Sequence, residues 1–314
     1  MPRMFKLYSF LIHSFLILLS IVSQSATASS NKAPGKIFAI HDGSLSLHLN
    51  CQGEGSPTVL LEAGLGRNSL DWVLVQQELA KSTRVCSYDR AGYGWSQKSS
   101  TARAGDNIVN ELHDLLASAK VNSPYVIVGH SYGGILVRLF AALFPDEVQS
   151  IVLVDACHDD QAEKFPLPPI TIDEILNRKP TIPAAFTKEQ QEQLRRSTTS
   201  LKQASTWIAE QKGFKESFVQ LKQYASGQLQ KPLTVISRGY RTGLSKERLE
   251  QEDTWRQWQE DLLQRSSKST HIIAKESGHS IMFSEPIIIV DAIKSLLTSA
   301  IADSFIEVVQ RIPQ

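Results

Sequence analysis

A serine in a tight turn between an apolar strand and an apolar helix is the feature that most restricts how this chain can fold. Residues 126–134 read VIVGHSYGG, so a β-branched run leads through Gly129 into Ser131, and an apolar helical pattern begins at Ile135. Glycines on both sides of the serine leave little room for a Cβ, as a sharp strand-to-helix turn requires. Such a turn lifts the hydroxyl of Ser131 clear of a sheet and places it at a helix N-terminus, where partial positive charge favours an oxyanion.

Apolar strands alternate with helical patterns on both sides of this turn. The strands are predicted as a hairpin over 36–51 and as single strands over 59–61, 85–88, 126–128, 151–154, 233–236 and 271–274. The helices are predicted over 72–79, 108–119, 135–144 and 286–301. This alternation predicts an α/β fold, a mostly parallel sheet with helices on both faces.

The alternation is interrupted between Asp159 and Lys231, where a cluster of prolines precedes a helical stretch rich in Gln, Lys and Glu. We therefore predict a core formed by residues 29–157 and 232–314, with residues 158–231 inserted as a helical lid. An insertion at this point lies over the carboxyl ends of the strands, where open α/β sheets bind ligands. Its aromatic side chains are predicted mainly to pack the lid onto the core.

Four segments of the chain resemble the α/β-hydrolase superfamily. Residues 58–66 read TVLLEAGLG, like the strand and loop that carry half of that family's oxyanion hole, and residues 88–96 read YDRAGYGWS, like its Asp-x-x-Gly-x-Gly-x-Ser loop. The serine turn resembles the family's nucleophile elbow, and Ser277-Gly278-His279 resembles its late histidine. The resemblance covers residues 36–300 apart from the insertion. It implies the α/β-hydrolase fold and a serine hydrolase, but it does not name a substrate.

The resemblance makes Ser131 the predicted nucleophile, and a serine hydroxyl needs a base to take its proton. His279 fits that role because it follows a predicted strand and stands after the serine, in the chain order of the superfamily. Among the other histidines, His130 lies beside the nucleophile and is predicted to point away from it. A serine at this position argues against the dehalogenases and epoxide hydrolases of this fold, which use Asp there.

The third member of such a triad is a carboxylate, which fixes the imidazole tautomer and stabilises the imidazolium. In most of the superfamily it follows the strand equivalent to residues 233–236, but here no Asp or Glu occurs before Glu247. A second location is the end of the strand after the nucleophile helix, where this chain has Asp155. We predict Asp155 as the acid, since it would face the same crevice as Ser131, and we keep Asp253 as the alternative.

The resemblance also implies an oxyanion hole built from two backbone amides. One belongs to Tyr132, directly after the nucleophile, and the other lies in the loop of residues 63–65 and is predicted to be that of Leu65. Each such donor is typically worth about 3 kcal/mol of barrier, and it depends on the shape of the loop more than on its side chains. Asp89 and Arg90, with the glycines that follow, are predicted to shape a structural loop.

The N-terminus has the layout of a secretory signal peptide. Arg3 and Lys6 precede an apolar run over residues 7–22, and the triplet Ala-Thr-Ala follows at 26–28. This pattern predicts that residues 1–28 are removed and that the protein is exported, periplasmic or extracellular. An uncleaved membrane anchor is the alternative, although the run is shorter than the ~20 residues that a spanning helix needs.

The cysteines do not by themselves define a site. The chain has three cysteines, Cys51, Cys86 and Cys157. An odd number in an exported protein leaves at least one thiol unpaired. Cys51 and Cys86 lie in apolar strand contexts, where a small buried hydrophobe is the common outcome, and a disulfide between them is left open. No Cys/His spacing resembles a zinc site.

The charge distribution argues against a nucleic-acid partner. The net charge is +1 without a basic stripe, so no nucleic-acid partner is predicted. No cofactor is implied, and the oligomeric state is left open. We predict a carboxylesterase-like serine hydrolase that cleaves an ester-type bond of a small or medium apolar acyl substrate through an acyl-enzyme. The alternatives are an aminopeptidase like the proline iminopeptidases, with Glu174, Glu189 and Glu192 available for a free amine, and a non-catalytic ligand-binding protein.

Overall fold

One mixed sheet of eight strands forms the centre of the computed structural model, which describes residues 32–225, 227–241 and 243–310. The strands lie in the order β1-β2-β4-β3-β5-β6-β7-β8. Their bounds are β1 Lys36–Ile40, β2 Leu45–Gln52, β3 Thr58–Glu62, β4 Val85–Asp89, β5 Tyr125–His130, β6 Val148–Val154, β7 Leu233–Arg238 and β8 Ser269–Ala274. β2 pairs with β1 and β4 in antiparallel register, and every other neighbouring pair is parallel.

Helices cover both faces of this sheet. Their bounds are α1 Val73–Leu79, α2 Gly105–Ser118, α3 Gly133–Leu143, α4 Gln161–Lys164, α5 Ile172–Leu176, α6 Lys188–Thr198, α7 Leu201–Tyr224, α8 Lys246–Leu262, α9 Ile281–Ser284 and α10 Pro286–Gln310. Residues of α2 and α3 share one apolar core, and residues of α1 and α10 share a second. The predicted α/β fold, a mostly parallel sheet with helices on both faces, is therefore confirmed.

The side chains of β5 show how one strand fills both cores. Val126 and Val128 belong to the core that includes α1 and α10, whereas Ile127 belongs to the core that includes α2 and α3. Successive side chains of a strand point to opposite faces, so a parallel strand covered on both faces is a continuous apolar run. Each fully buried Val or Ile side chain stabilises the fold by roughly 1.5–3 kcal/mol.

A disulfide joins two of the three cysteines. Cys51 of β2 and Cys86 of β4 lie directly opposite each other in the antiparallel register, and their sulfur atoms are bonded across a sequence separation of 35 residues. Closing a loop of that length stabilises a fold by about 4 kcal/mol in the chain-entropy description. The apolar sequence around each cysteine predicts burial, which is correct for Cys86, whereas Cys51 is only partly buried. The disulfide itself depends on the pairing of β2 with β4. Cys157 is free and buried.

The first part of the insertion is built from short elements on the surface. Helices α5 and α6 begin with capping boxes at Thr171 and Thr187, whose hydroxyls accept from the backbone three residues on. Leu194 of α6 and Phe186 pack with Leu70 in a small separate core, so this part is attached beside the loop that follows β3.

Helix α7 is packed into the body of the molecule. Phe214 and Phe218 belong to the same apolar core as α2 and α3. An ideal Cβ built on Gly213 would lie 2.3 Å from the carbonyl oxygen of Arg103, so the backbone of α7 meets the segment that leads into α2. Within the predicted lid, residues 201–224 are therefore part of the body, and the more exposed elements precede them.

The predicted signal peptide, residues 1–28, lies outside the described residues. In the part of the chain that the structure describes, no helix has the length and the hydropathy needed to cross a membrane.

Candidate active site

Four loops meet at the carboxyl-terminal edge of the parallel strands. Residues 63–66 follow β3, Ser131 follows β5, Asp155 follows β6, and the loop that carries His279 follows β8. Because these strands run in the same direction, their carboxyl ends lie along one edge of the sheet, where open α/β sheets bind ligands. The predicted oxyanion loop, nucleophile, acid and base are thus all on this edge.

Ser131 lies in a turn that glycine makes possible on both sides. Its backbone φ is 53°, in the left-handed region, which costs a residue with a Cβ roughly 1–3 kcal/mol. An ideal Cβ on Gly129 would lie 2.4 Å from the carbonyl oxygen of Gly133, and one on Gly133 would lie 2.6 Å from that of Glu62. The amide of Ser131 donates to the carbonyl oxygen of Val154 over 3.1 Å, which ties the turn to the end of β6. The predicted strand–turn–helix arrangement is confirmed.

Asp155 and His279 are joined directly. Nδ1 of His279 lies 2.6 Å from Oδ2 of Asp155. The carboxylate is fully buried, whereas the imidazole is 45% exposed, so the ring reaches from the carboxylate toward the accessible edge of the sheet. Asp155 also has a left-handed φ, of 42°. Strained non-glycine residues are often found at functional sites, and two of the five with positive φ in the described part of the chain are the predicted nucleophile and the predicted acid.

Two residues that sequence reasoning did not single out hold the carboxylate of Asp155. Nη1 of Arg238 lies 2.8 Å from Oδ2, and Nε1 of Trp255 donates to Oδ1 over 2.8 Å. Burial alone would raise the pKa of Asp155, but the hydrogen bond and charge of His279, together with the charge of Arg238, outweigh burial and lower that pKa to about 2. Arg238 ends β7, the strand after which the superfamily usually has its acid. A cation in that place is the sequence signal that could have identified Arg238 as a partner of Asp155.

The hydroxyl of Ser131 contacts a thiol. Its Oγ lies 3.8 Å from Sγ of Cys157, whose amide donates to the carbonyl oxygen of Ser131 over 3.0 Å. In this rotamer, Ser131 and His279, both among the described residues, share no hydrogen bond. Catalytic hydrogen bonds are often long or poorly aligned before substrate binds, and rotation about the Cα–Cβ bond of Ser131 moves its hydroxyl. Burial raises the pKa of the Cys157 thiol to about 12, so this neighbour remains an uncharged thiol at neutral pH.

Residues 63–66 lie directly against the serine turn. An ideal Cβ on Gly64 would lie 3.3 Å from the Cβ of Ser131 and 3.0 Å from Nδ1 of His130. Leu65, whose amide is one of the two predicted oxyanion donors, comes directly after Gly64. The amide of Tyr132 lies at the start of α3, where the first amides of a helix have no acceptor within the helix. The two amides predicted for an oxyanion hole therefore belong to the two segments that meet at Ser131.

His130, which is predicted to point away from the nucleophile, lies against His279. Its Nε2 lies 2.8 Å from the carbonyl oxygen of His279, and the two rings are 4.6 Å apart at their centroids. Burial, followed by the positive charge of His279, lowers the pKa of His130 well below its usual value, so it is neutral and donates through Nε2. His130 ends β5, and the loop that carries His279 follows β8 at the same edge of the sheet. The two histidines can therefore meet.

The loop that carries His279 is held by a carboxylate from the start of the last helix. Oε2 of Glu285 accepts from the amide of Glu276 over 3.0 Å and from the hydroxyl of Ser277 over 2.6 Å. These bonds tie the residues before Gly278 to Glu285, which follows His279, and so restrict where the imidazole can lie.

The alternative acid, Asp253, is outside this arrangement. Its side chain on α8 is 47% exposed and lies 3.6 Å from Arg256 on the same helix. Asp155, and not Asp253, is the carboxylate that the fold brings to His279. Within the described ranges, no group of three or more His, Cys, Asp or Glu side chains could hold a metal ion.

Comparison with known proteins identifies the family. The family model for the alpha/beta hydrolase fold matches residues 57–189, which include β3, the serine turn and Asp155. The uncharacterized protein YqjL of Bacillus subtilis is 30% identical over 238 residues, which cover 76% of this chain and 82% of YqjL.

Solved structures agree on the fold. The chain superposes on the enol-lactonase from Burkholderia xenovorans with a TM-score of 0.61 at 17% identity, covering 84% of this chain and 100% of that one. The epoxide hydrolase CorEH gives a TM-score of 0.63 at 16% identity, covering 84% of this chain and 98% of that one. Identities this low show the fold alone, but with the family model and YqjL they leave one assignment: the chain belongs to the α/β-hydrolase superfamily.

Proposed function

We propose that the chain is a serine hydrolase that cleaves an ester-type acyl bond through Ser131, His279 and Asp155. The observation that carries the proposal is the 2.6 Å contact between Nδ1 of His279 and the buried carboxylate of Asp155, beside a serine in a strained turn. A carboxylate on Nδ1 leaves Nε2 as the basic nitrogen, which is the tautomer that can take a proton from a serine hydroxyl. The serine at the turn agrees with this chemistry, and an enol-lactonase is among the proteins that share the fold.

In the proposed reaction, Oγ of Ser131 attacks the acyl carbon while its proton passes to Nε2 of His279. The carbonyl oxygen becomes an oxyanion that accepts from the amides of Leu65 and Tyr132. Collapse of this intermediate breaks the ester bond, and the leaving alkoxide takes the proton from His279. Water then attacks the acyl-enzyme with His279 as base, which releases the acid and restores Ser131. The negative charge of Asp155 stabilises the imidazolium in both halves.

The surroundings of the site support an apolar acyl group of small or medium size. Phe186 and Leu194 pack with Leu70 next to the oxyanion loop, and Phe283, shortly after His279, joins the same small core. Trp207 of α7 lies against Gly66, at the end of the oxyanion loop. These apolar side chains beside the oxyanion loop are the basis on which we propose an apolar acyl group.

A substrate panel tests this assignment. We expect the highest kcat/KM on p-nitrophenyl esters of short to medium acyl chains and on aryl lactones, because a phenolate leaves without obligatory protonation. Proline p-nitroanilide and styrene oxide serve as the matched amide and epoxide substrates, and neither should turn over at a comparable rate. Hydrolysis of the anilide in preference to the esters would instead support an aminopeptidase, and binding of esters without turnover would support a ligand-binding protein.

The carboxylates that an aminopeptidase would need are engaged elsewhere. Glu174 accepts from the amide and hydroxyl of Thr171 at the start of α5, and Glu192 pairs with Arg196 over 2.7 Å on the surface of α6. Glu189 accepts from Gln193 over 3.4 Å on the same helix. The geometry therefore favours the esterase over the peptidase.

Export is a further part of the proposal, and the disulfide between Cys51 and Cys86 supports it. Disulfides form and persist in oxidising compartments and are rare where glutathione and thioredoxin keep thiols reduced. Intact-mass measurement of the protein from periplasmic or secreted fractions should give a chain that begins near Ser29 and lacks two hydrogens relative to its reduced form. A membrane-bound chain that keeps residues 1–28 would support the anchor, and a reduced chain in the cytosol would contradict export.

A further inference from the structure

A buried arginine connects the oxyanion loop to helix α7. Arg90 follows β4, and all five of its N–H groups are used. Nη1 donates to the carbonyl oxygen of Ala63 over 2.8 Å and Nη2 to that of Gly64 over 2.7 Å. Nη1 also donates to Oε1 of Glu62 over 2.6 Å, and Nε and Nη2 donate to the two carboxylate oxygens of Glu210 over 2.7 and 3.0 Å.

The bond to the carbonyl oxygen of Gly64 fixes the direction of the amide of Leu65. These two groups belong to one peptide unit, and a trans peptide is planar with its C=O and N–H pointing in opposite directions. The same carbonyl oxygen also accepts from the amide of Arg67 over 3.1 Å. With the oxygen held on one side by two donors, the N–H of Leu65 is directed to the other side of the peptide plane.

The pair with Glu210 makes this arrangement depend on the insertion. Glu210 lies in the middle of α7, and its side chain, like that of Arg90, is almost completely buried. The hydroxyl of Tyr93 donates to Oε2 of Glu210 over 2.8 Å, and that of Tyr88 donates to Glu62. Removing one partner from such a buried network lowers the stability of the fold, because the remaining charge has no water to solvate it. Helix α7 and the oxyanion loop are therefore held to the same guanidinium.

We infer that Arg90 is a positioning residue, which aims the Leu65 amide at the oxyanion and transmits the placement of α7 to it through Glu210. The inference rests on the proposed function, since it assigns a role within the proposed site. A lysine has three donors on a point charge and cannot reproduce a planar fork that serves two carboxylates and two carbonyl oxygens.

The test compares Arg90→Lys and Glu210→Gln with the wild type on a p-nitrophenyl ester. A trifluoromethyl ketone, whose adduct with a serine carries an oxyanion, serves as the transition-state analogue. Removal of one oxyanion donor typically costs about 10²–10³ in kcat, so misdirecting one should lower kcat of Arg90→Lys by about 10–100-fold and leave KM within about threefold. The inhibition constant of the ketone should rise by the same factor as kcat falls. Glu210→Gln, which keeps one acceptor, should show a smaller loss of the same kind.

Arg103→Lys is the matched control. Arg103 is as deeply buried and donates from Nη1 to both carboxylate oxygens of Glu111 over 2.8 Å. Its backbone meets α7 at Gly213, but within the described part of the chain its side chain forms no hydrogen bond to the oxyanion loop. It should lose stability with kcat and ketone affinity unchanged. Equal losses in Arg103→Lys and Arg90→Lys, or a folded Arg90→Lys with wild-type kcat and ketone affinity, would overturn the inference.

Amide hydrogen exchange separates this inference from the proposed function. In Arg90→Lys, peptides that cover residues 60–68 and 205–214 should exchange faster together, whereas Arg103→Lys should leave exchange at residues 60–68 unchanged. If the wild type neither hydrolyses esters nor reacts with a fluorophosphonate, the proposed function fails, and the exchange pattern still decides whether Arg90 joins the loop to α7. Unchanged exchange at residues 60–68 in Arg90→Lys would contradict that connection.

Discussion

Ser131→Ala is expected to abolish both ester hydrolysis and labelling by a fluorophosphonate probe. Without Oγ no acyl-enzyme can form, and His279 has no hydroxyl from which to take a proton. Removing the nucleophile of a serine hydrolase lowers kcat by on the order of 10⁵–10⁶, and the oxyanion amides alone retain only a small residue of activity. Steady-state kinetics give the loss in kcat. Intact-mass spectrometry during turnover should show the added mass of the acyl group on the wild type and not on Ser131→Ala.

Cys157→Ala is the control for this substitution, because the thiol lies 3.8 Å from the hydroxyl of Ser131. With a pKa raised to about 12 by burial, the thiol has almost no thiolate at neutral pH and is a poor nucleophile. The variant should therefore keep labelling and kcat within a few-fold of the wild type. Labelling that survives in Ser131→Ala but disappears in Cys157→Ala would assign the nucleophile to the thiol.

The parts of the site that could be predicted from the sequence are those fixed locally. The apolar run before Gly129 and the glycines around Ser131 specify a buried strand, a tight turn and a helix within one short segment. Asp155 could be located because a residue that ends a parallel strand lies at the same edge as the neighbouring strand ends. Asp155 can contact His279, 124 residues later, because both lie at this edge of the sheet.

The parts that could not be predicted depend on how distant segments pack. Glu210 lies in a stretch rich in Gln, Lys and Glu that reads as a solvated helix, yet it is buried against Arg90, 120 residues earlier. No local pattern shows that one glutamate of such a helix meets an arginine in a loop. The disulfide is similar, since β2 pairs with β4 and skips β3, so that Cys51 meets Cys86 only once the order of the strands is known.

Asp155→Asn is expected to lower kcat by about 10⁴, which is the loss seen when the acid of a serine triad becomes an amide. The carboxylate accepts the Nδ1–H of His279, which leaves Nε2 free to take the proton of Ser131. An Asn can instead donate its NH₂ to Nδ1, which favours the tautomer with the proton on Nε2 and so blocks that step. The amide also lacks the charge that stabilises the imidazolium. Arg238 offsets the charge of Asp155 only in part, because it also pairs with Glu252 over 3.0 Å.

Asp253→Asn is the matched control, because this exposed carboxylate lies beside Arg256 on α8 and should leave kcat unchanged. The pH dependence of stability gives a second readout. Since the pKa of Asp155 is lowered to about 2 from 3.8, its charge stabilises the fold above the unfolded-state value, and this contribution is lost as pH falls through the folded-state value. Asp155→Asn should therefore lose less stability than the wild type between about pH 5 and 2 in thermal unfolding. Retention of kcat in Asp155→Asn, with loss in Asp253→Asn, would move the acid to α8.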